Sequence, residues 1–176
     1  MLKRVMLVVT LMVFAGSSFN CDLAKSAEAQ KIGVLNIQKV LIQSNAGKKA
    51  KAIFEKRMNE LQTTFKTEQD GLIALQQEIE KKSSAWSKEK KGEKIRELQM
   101  GQREMQVKSE DAKMELKQLQ DKELEPILKM LQTVVASFGE KNGYSAILDS
   151  KVDVLYAAPG IDLSEDVKKE LNKRMK

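Results

Sequence analysis

The chain has 176 residues, of which 32% are charged and only 5% aromatic, with two prolines and nine glycines. This composition is lean for a globular core and typical of long solvated helices. The chain has no histidine, the commonest general base and metal ligand, which argues against an enzyme. We therefore expect no catalytic, metal or cofactor site. We also expect an oligomer, because solvated helices bury little apolar surface per residue.

The first 29 residues are predicted to be an export signal. Lys3 and Arg4 precede an apolar run over residues 5–15, which is too short to span a bilayer comfortably. Cleavage after Ala29 is favoured because the folded pattern begins just beyond it. A second small-residue site, residues 15–17, lies closer to the apolar run and remains an alternative. The chain is therefore expected outside the cytoplasm.

The one cysteine, Cys21, falls within this segment. A lipid-attachment signal has a small residue before the cysteine, whereas Asn20 stands there. Cys21 is therefore interpreted as part of a discarded spacer, with a lipid anchor as the alternative. The remaining residues contain no cysteine, so disulfides play no part.

Residues 31–37, KIGVLNI, are rich in β-branched side chains and predict a short buried strand. Residues 38–43 are predicted to continue as a helical turn. Ser44 or Asn45 is the expected N-cap of the helix that follows.

Residues 46–138 predict two long helices folded back on each other. The first helix is expected to end at Lys82, with Gly71 as a soft spot because glycine weakens a helix interior. Its apolar residues recur at alternating steps of three and four, which is the heptad pattern of pairing helices. This seam contains Phe54, Met58, Leu61, Phe65, Leu72, Leu75 and Ile79, with Glu68 at its only charged position.

A break over residues 83–92 separates the two helices. The second helix carries a weaker seam, which suggests a slender and flexible arm: Ile95, Leu98, Gln102, Met105, Ser109, Ala112, Leu116 and Leu119. Pro126 predicts a kink because it removes a helix hydrogen bond. Beyond it the sequence is more densely apolar, and Gly139 and residues 142–143 are expected to end the helix.

The excess positive charge is concentrated at the break. Residues 30–176 hold 28 basic and 23 acidic side chains, and residues 81–96 alone hold seven against two. We call these seven residues the basic tip: Lys81, Lys82, Lys88, Lys90, Lys91, Lys94 and Arg96. The tip is interpreted either as a contact for acidic clients or lipid phosphates, or as a helix end kept soluble by charge.

Two further strands are predicted, over residues 144–149 and 152–158. Asp162 and Glu165 have the spacing of a capping box and predict a last helix. A sheet joining residues 32–37 to the late strands would close the base of the hairpin.

The predicted fold is mainly α with a small β part, in which a long antiparallel hairpin is attached to a short-stranded body. The predicted domains are the signal (1–29), the body (30–45 with 139–176) and the arm (46–138).

This order of elements resembles the Skp/OmpH family of periplasmic chaperones. The resemblance rests on the opening strand KIGVLN (31–36), the late strands 144–149 and 152–158, and the closing DLSEDVKK (162–169). The arm matches in pattern only.

The resemblance implies a homotrimer whose β body is built from the strands of three subunits. Three arms then enclose a cavity that holds unfolded outer-membrane proteins without ATP in the periplasm. The chain agrees with the lack of ATP, because Gly47-Lys48 lacks the rest of a phosphate-binding loop. Some members are reported to bind lipopolysaccharide, and no site for it is matched here. The residues expected in the trimer body are Ile32, Val34, Ile37, Ile147, Val154 and Tyr156.

Apolar arm residues off the seam are candidates for holding a client: Ile53, Ile73, Met100 and Met114. Methionine suits this role because it repacks around varied partners. The alternative is that these residues pack within the arm or at a subunit contact. Trp86 either caps the end of the seam or is an exposed aromatic contact for a partner.

Two other classes are weighed. Nucleic-acid binding is suggested by the pI of about 9.3, but the chain has a secretory signal and no series of base-stacking aromatics. A structural coiled-coil adaptor of the cell envelope is the remaining alternative, although the flanking strands argue against a simple rod.

Overall fold

The computed structural model describes residues 30–152, 154–158 and 160–176, so the predicted signal lies outside the described part. Residues 32–176 form one unit. The elements in order are β1 (Lys31–Leu35), α1 (Ile37–Gln43), α2 (Asn45–Lys82), α3 (Lys88–Asn142), β2 (Tyr144–Asp149) and α4 (Ser164–Arg174). The predicted fold class is confirmed: long helices dominate, and β1 and β2 form a two-stranded sheet.

The entry to the hairpin is set by two side-chain caps. Asn36 begins α1, because its Oδ1 accepts a hydrogen bond from the Lys39 N–H at 2.8 Å. The predicted strand over residues 31–37 was therefore two residues too long. Ser44 caps α2 as expected, and its hydroxyl accepts from the Gly47 N–H at 3.0 Å.

The hairpin itself has the predicted layout with a shorter bend. Helix α2 ends at Lys82 as predicted, but α3 begins at Lys88, where the Ser87 hydroxyl accepts from the Lys90 N–H. Helix α3 then runs through Pro126 and ends at Asn142. Gly143 terminates it with a φ of 67°, a left-handed conformation that glycine adopts without steric cost.

The seam differs from the prediction at two positions. Met58 is 41% exposed, because Arg57 occupies the interface instead and reaches across to Glu115 on α3. On α3, Gly101 faces α2 rather than Gln102, and a Cβ at Gly101 would lie 2.5 Å from the Leu72 side chain. An α-helix drifts by about 20° per heptad against a strict seven-residue repeat, so such one-residue shifts are expected.

The core lies at the open end of the hairpin, where α1, α2, α3 and α4 meet. Val167 and Leu171 of α4 are fully buried, and Val134 of α3 is 2% exposed. The cluster comprises Leu35, Val40, Ala50, Ile127, Leu131, Val134, Leu163, Val167 and Leu171. Most of the fully buried apolar area is therefore at this end, while the rest of the hairpin is half-buried at its seam.

The prediction of a strand over residues 152–158 was wrong. Among the described residues of this segment, none is in a strand, and the side chains of Leu155 and Tyr156 are exposed. The second neighbour of β1 is instead the stretch just before α4. There the Val34 N–H donates to the Ile161 carbonyl at 2.9 Å, and the Leu163 N–H donates to the Val34 carbonyl at 2.8 Å. A strand needs a neighbouring strand to bond with, and the sheet of the described residues contains only β1 and β2.

The predicted capping box was also wrong. Helix α4 begins at Ser164 after Leu163, and no side chain caps it. Asp162 instead accepts from the backbone N–H of Ser164 at 2.8 Å, an Asx-type turn. Glu165 points to lysines, with Lys168 at 2.6 Å and Lys39 at 3.4 Å.

Candidate functional site

The two arm helices are tied across the seam by ion pairs. Arg57 donates to both carboxylate oxygens of Glu115, with Nη2 at 3.0 Å from Oε2. Lys108 contacts Glu68 at 2.8 Å. The charged seam position at Glu68 is thus satisfied by the facing helix. The bidentate guanidinium–carboxylate geometry also fixes the register of the two helices.

Arg57 lowers the pKa of the Glu115 carboxyl, chiefly by donating hydrogen bonds to it. A lowered folded-state pKa means that the unfolded chain binds the proton more readily. The contribution of this pair to stability is therefore present above the unfolded pKa of Glu115 and lost as the pH falls through its folded pKa. Wild type is expected to unfold at a higher temperature than Glu115→Gln at pH 7, and the gap is expected to shrink on acidification.

Thermal unfolding is followed by circular dichroism from pH 7 down to below the folded-state pKa of Glu115, and this checks the expectation. Glu110→Gln is the matched control, because the ion pair of Glu110 among the described residues is with Lys113 on its own helix. A gap for Glu115→Gln that is independent of pH would contradict the assigned role of Arg57.

At the bend, the predicted basic tip is largely free of ion pairs. Lys82 pairs with Glu78 at 3.0 Å, and Lys94 pairs with Glu97 at 2.7 Å. The other five tip residues form no ion pair within 4 Å among the described residues, and all five are exposed: Lys81, Lys88, Lys90, Lys91 and Arg96.

Trp86 is half-buried at the same bend, and the Lys90 Nζ lies 5.6 Å from its ring centre. This distance is within cation–π range. The tip therefore combines an amphipathic aromatic ring with exposed, positively charged side chains. This combination suits an anionic interface.

The apolar candidates off the seam are all exposed. Ile53 and Ile73 are each 45% exposed, Met100 is 55% exposed and Met114 is 56% exposed. Packing within the arm therefore does not account for them. Ile53 and Ile73 are twenty residues apart, which at about 100° per residue places them on roughly opposite sides of α2. These two do not form one surface.

Met100 and Met114 do belong to one surface, together with a residue that the sequence analysis missed. Val107 lies midway between them and is 61% exposed. Residues seven apart on an α-helix differ by only about 20° in direction and about 10.5 Å in height. We call these three residues the α3 stripe. The sequence signal for Val107 is its seven-residue spacing from both methionines at positions outside the seam.

The body offers a second surface of exposed apolar residues. Of the residues predicted in the trimer body, Val34 is buried within the chain, and Ile37, Ile147 and Val154 are half-buried. Only Ile32 and Tyr156 are exposed, at 46% and 81%.

This body surface also includes an open sheet edge. Strand β2 pairs with β1 alone among the described strands, so no described strand lies along its other edge at residues 145–149. Val152 and Leu155, which follow β2, are also exposed. An unpaired edge beside apolar side chains is a template for pairing with another chain.

Within the described residues no three acidic or cysteine side chains are grouped so that they could hold a metal ion. The same residues include no helix that is long and apolar enough to cross a membrane.

Comparison with known proteins gives one family and one fold. The sequence profile of the family described as outer membrane protein (OmpH-like) matches residues 31–171. No curated protein sequence matches the chain significantly.

Among solved structures, the chain is similar to a crystal structure from Caulobacter crescentus CB15 described as a proposed outer membrane chaperone (OmpH-like). The TM-score is 0.74 at 18% sequence identity, and the match covers 82% of this chain and 85% of the other. At this identity the likeness establishes the fold, whereas the family profile spans most of the chain. The chain therefore belongs to the OmpH-like family.

Proposed function

We propose that the chain is an ATP-independent periplasmic chaperone that holds unfolded outer-membrane proteins and prevents their aggregation before membrane insertion. The observation that carries the proposal is the α3 stripe, three large apolar side chains exposed in a line on a solvated helix. Family membership and the similarity to a crystal structure described as a proposed outer membrane chaperone support it. A line of this kind offers an unfolded chain apolar contact without demanding a particular sequence.

The proposal includes a homotrimer with residues 46–138 as the arm and residues 30–45 and 139–176 as the body. It is supported by the unpaired edge of β2 and by the exposed residues Val152, Leu155 and Tyr156. Pairing these segments between copies would bury apolar side chains and satisfy backbone groups together. Light scattering of the purified protein tests this part. A stable monomer would contradict the proposed trimer and the cavity between its arms.

The holding activity is tested with an outer-membrane β-barrel unfolded in urea. The client is diluted out of urea with and without the exported protein, and turbidity and the soluble fraction are followed. The expected result is a soluble complex and suppressed turbidity in the absence of ATP. Precipitation at the rate of the client alone, from a protein that is itself trimeric, would leave the structural adaptor as the function.

The basic tip is proposed to contact acidic segments of clients or anionic headgroups, of lipids or of lipopolysaccharide. Its support is the set of exposed cations without carboxylate partners, beside Trp86. Attraction between exposed charges is screened beyond about 10 Å at 0.1 M salt. The tip contribution should therefore be largest at low ionic strength.

Removing four tip charges is expected to weaken client capture at low salt and to have little effect at high salt. The variant replaces four tip lysines with glutamine: Lys88, Lys90, Lys91 and Lys94. Capture is measured as the soluble client fraction over a salt series. The matched control replaces four exposed lysines at the other end of the hairpin or on α4: Lys129, Lys141, Lys169 and Lys173. An equal loss in both variants would assign the tip to solubility.

A further inference from the structure

The methionines of the described residues divide into two groups by exposure. Three of the six are exposed: Met58 at 41%, Met100 at 55% and Met114 at 56%. The other three are half-buried, two against the body core and one in the seam of α3: Met130, Met175 and Met105. The most exposed methionines therefore lie outside both the core and the seam.

Two of the exposed methionines are the ends of the α3 stripe. Met100 and Met114 stand seven residues on either side of Val107, whose side chain has no sulfur. Oxidation of a methionine thioether to the sulfoxide turns a flexible apolar side chain into a polar one. Sulfoxides at both ends would therefore leave Val107 as the one large apolar side chain of the stripe.

These thioethers face no competing thiol in the rest of the chain. Cysteine is the other side chain whose sulfur is readily oxidised, and residues 30–176 contain none. An oxidant that reaches this part of the chain therefore finds methionine as its sulfur target. Exposure then decides which methionines react first.

We propose that Met100 and Met114 are modification sites at which peroxides switch off client holding. A lone pair of the methionine Sδ attacks one peroxide oxygen, the O–O bond breaks, and hydroxide leaves. The hydroxide then takes the proton of the new S–OH group, so the products are the sulfoxide and water. The sulfur loses two electrons and the peroxide gains them. The inference rests on the proposed function, since it concerns the regulation of the same surface.

The modification is expected to leave the fold in place. The methionines of the seam and of the body core are half-buried and react later, so the contacts that hold the hairpin together are kept. The urea concentration at the unfolding midpoint should therefore stay near that of the untreated protein. Methionine sulfoxide reductases reduce the sulfoxide back to the thioether, which makes the switch reversible.

The order of oxidation is measured first. The exported protein is treated with hydrogen peroxide, sampled over time and digested, and the sulfoxide at each methionine is quantified by mass spectrometry. Met100 and Met114 are expected to react several-fold faster than the three half-buried methionines. Equal rates at all six positions would overturn the assignment of the sites.

Client holding is measured after the peroxide has been removed, so that the client itself is not oxidised. The protein concentration that halves client turbidity is expected to rise about 30-fold, because two of the three stripe contacts are lost. Treatment with methionine sulfoxide reductases for both sulfur epimers should restore the original potency. Unchanged potency with both sites oxidised, or no recovery after their reduction, would overturn the switch.

The informative variant is Met100→Leu with Met114→Leu, because leucine is apolar and has no sulfur to oxidise. The matched control is Met58→Leu, which removes an exposed methionine outside the stripe. Each protein is compared with itself before and after peroxide. The double variant should keep its own potency, whereas Met58→Leu should lose potency as the wild type does. An equal loss in the double variant would place the effect of oxidation elsewhere and overturn the inference.

The two proposals fail in different measurements. Absence of holding before peroxide treatment would overturn the proposed function and, with it, the switch. Holding that is present before treatment and unchanged after oxidation of both sites would overturn the switch alone.

Discussion

Replacing Gly47 with alanine is expected to destabilise the chain by about 3 kcal/mol or more. Gly47 is buried in the first turn of α2, where it packs against the end of α1. A Cβ there would lie 1.6 Å from the backbone carbonyl oxygen of Leu41. A side chain would turn away from such a clash, but a backbone oxygen moves only if α1 moves. The same shift would break the Ser44 cap, because Ser44 bonds both Leu41 and Gly47.

Urea unfolding followed by circular dichroism measures this loss. Gly92→Ala is the control, since a Cβ there would meet only the Arg96 guanidinium at 3.9 Å. Helix propensity predicts a small gain of up to about 1 kcal/mol for it. If Gly47→Ala unfolded at the wild-type urea concentration, the close contact between α1 and α2 would not be a constraint on the fold.

The second large effect is expected on client holding. The variant Met100→Gln, Val107→Thr, Met114→Gln makes the α3 stripe polar and leaves the seam unchanged. Each half-exposed side chain offers about 1 kcal/mol of apolar contact to a client, so the loss is about 100-fold in affinity. Because all three side chains are exposed, the unfolding midpoint is expected to stay near that of the wild type.

The matched control alters the neighbouring line on α3 with the same seven-residue spacing: Gln99→Ala, Gln106→Ala and Lys113→Ala. These residues are exposed and polar, so the control is expected to hold clients as the wild type does. Both variants are compared by the concentration that halves client turbidity. Equal potency of the stripe variant and the wild type would remove the stripe as the holding surface.

The helical periodicity of the sequence predicted most of the fold. The alternating steps of three and four predicted α2 to its last residue, and the caps Ser44 and Gly143 agree with the sequence signals. These features are local, because a helix makes its hydrogen bonds within one segment. The Asn36 cap of α1 is local too, yet the β-branched run that continues to Ile37 predicts a strand there.

The errors concern partners that are distant in sequence. Residues 152–158 have the composition of a strand, but composition does not say which edge they pair with, and β1 is already flanked by β2 and residues 161–163. Arg57 enters the seam because Glu115 faces it, a contact between residues 58 positions apart. Both contacts join residues that are far apart in the sequence, so local composition and periodicity do not identify the partners.

For the candidate surfaces too, the local features were predicted from the sequence and the arrangement of residues was not. Exposure of Met100 and Met114 followed from their position off the seam, and the charge of the tip followed from counting. The α3 stripe was not predicted, because Val107 has no distinctive chemistry of its own. Its exposure beside Met100 and Met114 is known from the structure.

The open edge of β2 has a consequence for a single copy of the protein, if the proposed trimer forms. A copy outside the trimer presents that edge and the exposed Leu155 and Tyr156, the same features that make an unfolded barrel strand prone to aggregate. At a higher protein concentration a single copy meets other copies sooner. The time for which its β2 edge is exposed is then shorter. Its apparent melting temperature should accordingly rise with protein concentration, as mass action requires of any fold completed by association.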